Sequence, residues 1–211
     1  IPALDLDDGG DVAPQTLRDM AQATEEAARA VSGITNSEGA SASSGRACVA
    51  LATSHGFAGA YRGSSHGLSA SVIAGEGTMM QRDYAWHSAR HAADLESPET
   101  IGRRAGERTV ARLNPIKLET GSLPVIFDPR IGGSLIGHLL SAITGSAIAR
   151  KTSFLLDARG KQIFAPGIRI IDDPLRPRGL RSRPFDGEGL ATRATAIIDD
   201  GVLSGWLMDS A

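Results

Sequence analysis

A chain of 211 residues with 41% hydrophobic and 22% charged residues can fill one large domain or two small ones, and is too apolar for a disordered chain. Its 22 Lys and Arg against 24 Asp and Glu leave a formal charge of -2, which excludes a global positive field for nucleic acid or anionic lipid. The single cysteine, Cys48, excludes an internal disulfide and every cysteine-rich zinc module. No apolar run is long enough to span a bilayer, and no basic region followed by an apolar core opens the chain. A cytoplasmic location without membrane contact is the expectation. The start at Ile1 and the stop just after the strand-like run Gly205–Met208 predict a fragment of something longer.

Residues 1–13 carry Asp5, Asp7, Asp8 and Asp11 and read as a loose acidic segment. A helix is predicted from Pro14, with Leu17, Met20, Ala21, Thr24, Ala28 and Val31 three or four apart and Gly33 at its C-terminal end. Three strands follow, Ala47–Thr53, Phe57–Arg62 and Leu68–Ala74, the last alternating apolar residues with Ser69 and Ser71. Ser97 then caps a second helix, with Pro98 in its first turn and Asn114-Pro115 as its stop. Residues 14–114 thus read as an α+β middle domain of helix, antiparallel sheet and helix.

Residues 115–122 read as a linker, and 123–211 as the N-terminal part of a mixed, β-rich C-terminal domain. Pro124–Phe127 is predicted as a short buried strand, and Asp128-Pro129 as the start of a helix. That helix holds Gly132, Gly133, Gly137 and Gly145 beside an apolar stripe of Ile131, Leu135, Leu139 and Ala142. Each glycine costs about 1 kcal/mol against alanine in a helix, so close packing against another backbone or a ligand is expected. Ile163-Phe164 and Ile168–Ile171 read as short strands. Ala194–Ile198 and Val202–Leu207 flank Asp199-Asp200-Gly201 as a hairpin.

Of the five histidines, His87 and His91 stand four apart, the spacing that places two imidazoles on one helical face. Arg90 sits between them and no Glu does, so a solvated helix face outweighs a zinc pair. His138 by itself cannot hold a catalytic metal, which needs further protein ligands. Ser134 lacks the Gly-x-Ser-x-Gly turn of a nucleophile, and Gly75-Glu76-Gly77 lacks the Lys of a phosphate loop. Arg176, Arg178, Arg181 and Arg183 crowd one segment, suited to carboxylates on a peptide or a partner subunit. Phe185 is the only nearby aromatic to stack a base, which argues against RNA.

Thr35–Ala40, Ser54–Phe57, Met80–Tyr84, Phe127–Pro129 and above all Arg178–Gly189 resemble the TldD/PmbA family, and within it the PmbA branch, also called TldE or modulator of DNA gyrase. The resemblance implies a protein about twice this length and a cytoplasmic heteromeric zinc peptidase that degrades or processes unstructured peptides. It implies a TldD-like subunit as partner, with the zinc on that partner and no cofactor in this chain. The TldD branch carries His-Glu-x-x-x-His on the glycine-rich helix. Aligned on His138, its first His falls on Gly133 and its Glu on Ser134. Glycine has no ligand atom, and a serine hydroxyl is no general base at neutral pH. A catalytically silent subunit is therefore the leading expectation. Its rivals are an autonomous metallopeptidase using His138, His87 or His91, and a binding protein that modulates gyrase. A domain ending inside a hairpin also predicts self-association of the fragment.

Overall fold

The computed structural model describes residues 2–210; Ile1 and Ala211, the outer ends of the expected segments, lie outside the described residues. It combines helices with antiparallel sheets, as expected, in two units. The first takes the chain up to Leu118 together with Pro174–Thr192, and the second takes Glu119–Asp173 and the chain from Arg193 onward. The arginine-rich segment therefore belongs to the first unit, although it follows residue 123 in sequence.

In the first unit, α1 (Pro14–Arg29) leads into β1 (Ile34–Ala52), β2 (Ala58–Ala74), β3 (Gln81–Ala89) and α2 (Pro98–Val110). Ser97 caps α2 by accepting from the Thr100 N–H at 3.3 Å, with Pro98 in the first turn. The sheet runs β1-β2-β3, antiparallel throughout. Two of the three expected strands, Phe57–Arg62 and Leu68–Ala74, are one strand, because Gly63–Gly67 stay paired with β1 instead of turning. Residues 34–46, read as no element, form the first two thirds of β1.

Alternation decides the faces of the sheet. Leu68, Ala70, Val72 and Ala74 of β2 and Ala85 of β3 point inward against Ala28, Ile101 and Ala105 of the helices. Ser69, Ser71, Tyr84 and Trp86 lie on the opposite side. Helices α1 and α2 touch through glycine. A methyl group at Gly102 would collide with the Thr24 carbonyl, and one at Gly106 would stand 2.6 Å from Val31 Cγ2.

Residues 2–13 form no helix or strand, yet they are not loose. Leu4 and Leu6 are buried, and the Ser64 N–H donates to the Leu6 carbonyl at 2.9 Å, extending the edge of β2 past the end of β3. Burial of two leucines at spacing two is what the acidic composition concealed.

In the second unit, α3 (Pro129–Ala142) and α4 (Gly145–Ala149) precede a sheet of β4 (Ile170–Asp172), β5 (Thr195–Asp199) and β6 (Val202–Leu203). Asp128 caps α3, accepting from the Arg130 N–H at 2.8 Å. The β5–β6 hairpin turns through Asp200 and Gly201, at φ 47° and 80°. A side chain at Gly201 would also strike Ala165 O at 2.7 Å, so only glycine serves there. Leu139, Ala142, Ile143, Ile197, Ile198 and Leu203 make the core.

Three expectations fail in this unit. Ile163-Phe164 forms no strand, although the Ile163 and Phe164 N–H groups both donate to the Gly201 carbonyl. Pro124–Phe127 is neither a strand nor buried: Ile126 is 97% exposed, and no strand pairs with the segment among the described residues. Of the four glycines expected to pack closely only Gly145, in α4, does, a Cβ there standing 2.7 Å from Met208 Sδ, while nothing lies within 4 Å of one placed at Gly132, Gly133 or Gly137. Only the last turn of α3, with Leu139 and Ala142, enters the core.

Two outcomes follow for purified protein. Gly102→Ala lowers the urea midpoint, because the forced helix separation costs about 1–3 kcal/mol, more than the roughly 1 kcal/mol of helix propensity it restores. Gly133→Ala, facing open space, leaves the midpoint unchanged or raises it. The 211-residue chain by itself sediments as a concentration-dependent oligomer, and Ile126→Lys returns it toward monomer. A monomer at every concentration would refute that.

Candidate functional site

Helix α3 carries the positions that the resemblance singles out. Gly133, Ser134 and His138 are all exposed, and the Ser134 hydroxyl donates to the Ile131 carbonyl at 2.6 Å, which commits it to the helix backbone. Among the described residues no three His, Cys, Asp or Glu side chains gather in an arrangement able to hold a metal ion. The donors present do not fit zinc, and no chemical step is derived through it.

His87 and His91 do not share a helical face, since His87 lies on β3 and His91 in the turn beyond it. Alternating burial from Asp83 to Ala89 drew this stretch into the sheet. His87 Nδ1 accepts the Glu96 N–H at 3.2 Å, and His91 Nε2 sits 3.0 Å from the Asp5 carbonyl. Both imidazoles serve local structure.

The arginine-rich segment separates into one ion-paired residue and three without a carboxylate partner among the described residues. Arg178 reaches Asp5 at 2.6 Å and Asp94 at 3.1 Å, while its N–H donates to the Leu4 carbonyl at 2.9 Å. It is thus taken up inside the unit and is not free for the peptide or subunit contact expected of it. Arg176, Arg181 and Arg183 are exposed and have no carboxylate partner among the described residues. Ser182, between the last two, is buried, and its N–H donates to the Gly179 carbonyl at 3.0 Å.

Sequence reasoning missed the groups that hold this segment. Arg90 donates to the Leu180 carbonyl at 2.6 Å and to the Ser64 carbonyl at 3.1 Å. Phe185 is buried edge-on to Phe57 and Tyr61, with ring centroids 4.9 and 5.3 Å away. A buried His66 meets Asp8 at 2.8 Å, and Asp8 also accepts the Ala92 N–H at 3.1 Å. The one available signal was the density of Asp in residues 5–8.

These ties hold three carboxyls below their ordinary range. The Arg178 hydrogen bond lowers Asp5, the Arg46 hydrogen bond lowers Asp7, and the Ala92 backbone N–H lowers Asp8. On the uncovered sheet face, the Ser71 hydroxyl and then Arg82 lower Glu38, at one end of a shallow trough lined by Ser41, Ser69, Tyr84 and Trp86.

Models of the PmbA/TldA metallopeptidase central domain and C-terminal domain match residues 7–113 and 120–211. The chain belongs to the PmbA/TldA metallopeptidase family. It is 42% identical to the metalloprotease PmbA of Escherichia coli O157:H7 over 99% of its length and 47% of that protein, and 37% identical to the PmbA homolog of Haemophilus influenzae over the same shares. The chain spans about half the length of these PmbA relatives. The solved structure of a protein named as a modulator of DNA gyrase from Bacteroides thetaiotaomicron superposes with a TM-score of 0.92 at 30% identity, covering 99% of this chain and 48% of that one. TldE from Thermococcus kodakarensis shares the fold, with a TM-score of 0.76 at 21% identity over 94% of this chain and 45% of that one. No helix among the described residues is long and apolar enough to cross a membrane.

A carboxyl lowered in the folded state stabilises above its unfolded pKa and loses that contribution as pH falls through the folded value. The Asp5–Asp8 strap therefore stays docked at neutral pH and loosens below about pH 4. Hydrogen exchange checks this: protection of residues 4–8 and 178–182 falls on acidification while that of β2 persists. Equal protection of the strap at both pH values would refute it.

Proposed function

We propose that this chain is part of the non-catalytic PmbA/TldE-like subunit of a TldD/TldE-type zinc metallopeptidase that degrades or processes unstructured peptides. The observation that carries the reading is on α3. Where the resemblance places a zinc ligand and a general base, the helix presents Gly133, which has no donor atom, and Ser134, whose hydroxyl is bound to its own backbone. His138 alone remains. A metal-activated water needs several protein ligands and a carboxylate or its equivalent nearby, and α3 supplies one imidazole. On this reading the zinc belongs to the TldD-like partner.

The autonomous-peptidase reading relied on His87 and His91, and both imidazoles are committed to nearby backbone groups. Direct modulation of gyrase draws only on the names of structural neighbours.

The test uses the full-length protein, alone and co-purified with its TldD-like partner. Elemental mass spectrometry finds zinc only in the co-purified sample, and hydrolysis of an unstructured fluorogenic peptide needs the partner. Stoichiometric zinc and peptide cleavage by the protein alone would refute the proposal.

A further inference from the structure

The loop Pro174–Thr192 is fixed at several points, yet it presents unneutralised charge. Arg178 is clamped between Asp5 and Asp94, Arg90 holds the Leu180 carbonyl, and Phe185 is buried against Phe57 and Tyr61. The Arg183 N–H donates to the Pro174 carbonyl at 3.0 Å, and the Thr192 hydroxyl to the Arg183 carbonyl at 2.6 Å, closing the loop on itself. Arg176, Arg181 and Arg183 therefore stand on a pinned backbone, and a ligand meeting them orders three side chains and no main chain.

The acids close by are already engaged. Asp5 and Asp94 belong to Arg178, Asp7 pairs with Arg46 at 2.9 Å, and Asp186 accepts the N–H groups of Glu188 and Leu190. Arg62, exposed and also without a carboxylate partner among the described residues, lines a cleft with Pro2, Leu4 and Pro184 and with Asp5 and Asp7, whose carboxylates are paired with Arg178 and Arg46. A local concentration of guanidinium on a chain of net charge -2 selects a short anionic segment and does not attract polyanions from a distance. The one aromatic of the loop, Phe185, is buried, so the loop offers no ring to a nucleic-acid base.

We propose that Arg176, Arg181 and Arg183, together with Arg62, form a docking surface for a carboxylate-rich segment of an unstructured peptide. Planar guanidinium groups match carboxylates in paired hydrogen bonds, and exposed Pro2 at the cleft offers apolar contact to the peptide's other side chains. The inference rests on the peptide-handling reading above and specifies the substrate chemistry.

The experiment is fluorescence anisotropy with full-length protein and a labelled Gly/Ser peptide containing four glutamates, against the same peptide with glutamines. The protein binds the glutamate peptide, and affinity falls with added salt. The triple variant Arg176→Gln, Arg181→Gln, Arg183→Gln weakens binding about tenfold, the sum of three exposed charge pairs. A control triple, Arg18→Gln, Arg29→Gln, Arg103→Gln, removes equal charge from exposed positions of α1 and α2 and leaves binding unchanged. Unaltered circular dichroism verifies that both variants fold. No binding of the glutamate peptide, equal loss in both variants, or tighter binding of a single-stranded oligonucleotide at the same arginines would overturn the proposal. Binding is read without metal or partner. If the protein alone proves to hold zinc while the loop variant still loses the peptide, the docking surface stands and the non-catalytic reading falls.

Discussion

Arg178 ties together three stretches of chain that are remote in sequence. Its guanidinium meets Asp5 from the N-terminal segment and Asp94 from the turn after β3, while its N–H donates to Leu4. Each ion pair is exposed and individually weak. Together with Arg90 on the Leu180 carbonyl and Phe185 under Tyr61, they determine where two irregular segments run. Without them the strap of residues 2–13 would lose its edge on β2, and the arginine-rich loop would lose its orientation. Both segments lack regular backbone hydrogen bonding, so side-chain ties decide their path.

Beneath that clasp the first unit rests on a different constraint, the distance between α1 and α2. Gly102 and Gly106 bring the helix backbones close enough for Ile101 and Ala105 to reach the sheet beside Leu68 and Val72. The same residue type has the opposite meaning in α3. There Gly133 and Gly137 face open space, cost helix stability, and gain nothing from the described chain. A helix that keeps costly glycines and an emptied ligand position fits a scaffold retained after its chemistry has moved to a partner, which is the role proposed for this subunit.

Caps and alternation were legible because their physics is local. Ser97-Pro98 and Asp128-Pro129 start helices as read, and the Leu68–Ala74 alternation faces the core as read. The Asp199-Asp200-Gly201 turn likewise forms its hairpin. His87 and His91 were read onto one helical face because two histidines four apart satisfy a helical template, whereas the inward Asp83, Ala85 and Ala89 follow a strand period. Pro124–Phe127 was misjudged in the other direction. An apolar run specifies a wish for burial and not the surface that would provide it.

By itself the sequence determined the family, the α+β class, the net charge, the helix starts and the absence of ligand and base at Gly133 and Ser134. These follow from residue identity and short-range spacing, which tertiary structure does not alter. Only the tertiary structure decided which arginines are free. Arg178 and its neighbours Arg176, Arg181 and Arg183 are indistinguishable in sequence, and their difference depends on Asp5, 173 positions away, arriving at one guanidinium and not the others. Ion pairing of that kind is set by the path of the whole chain, and no local pattern encodes it.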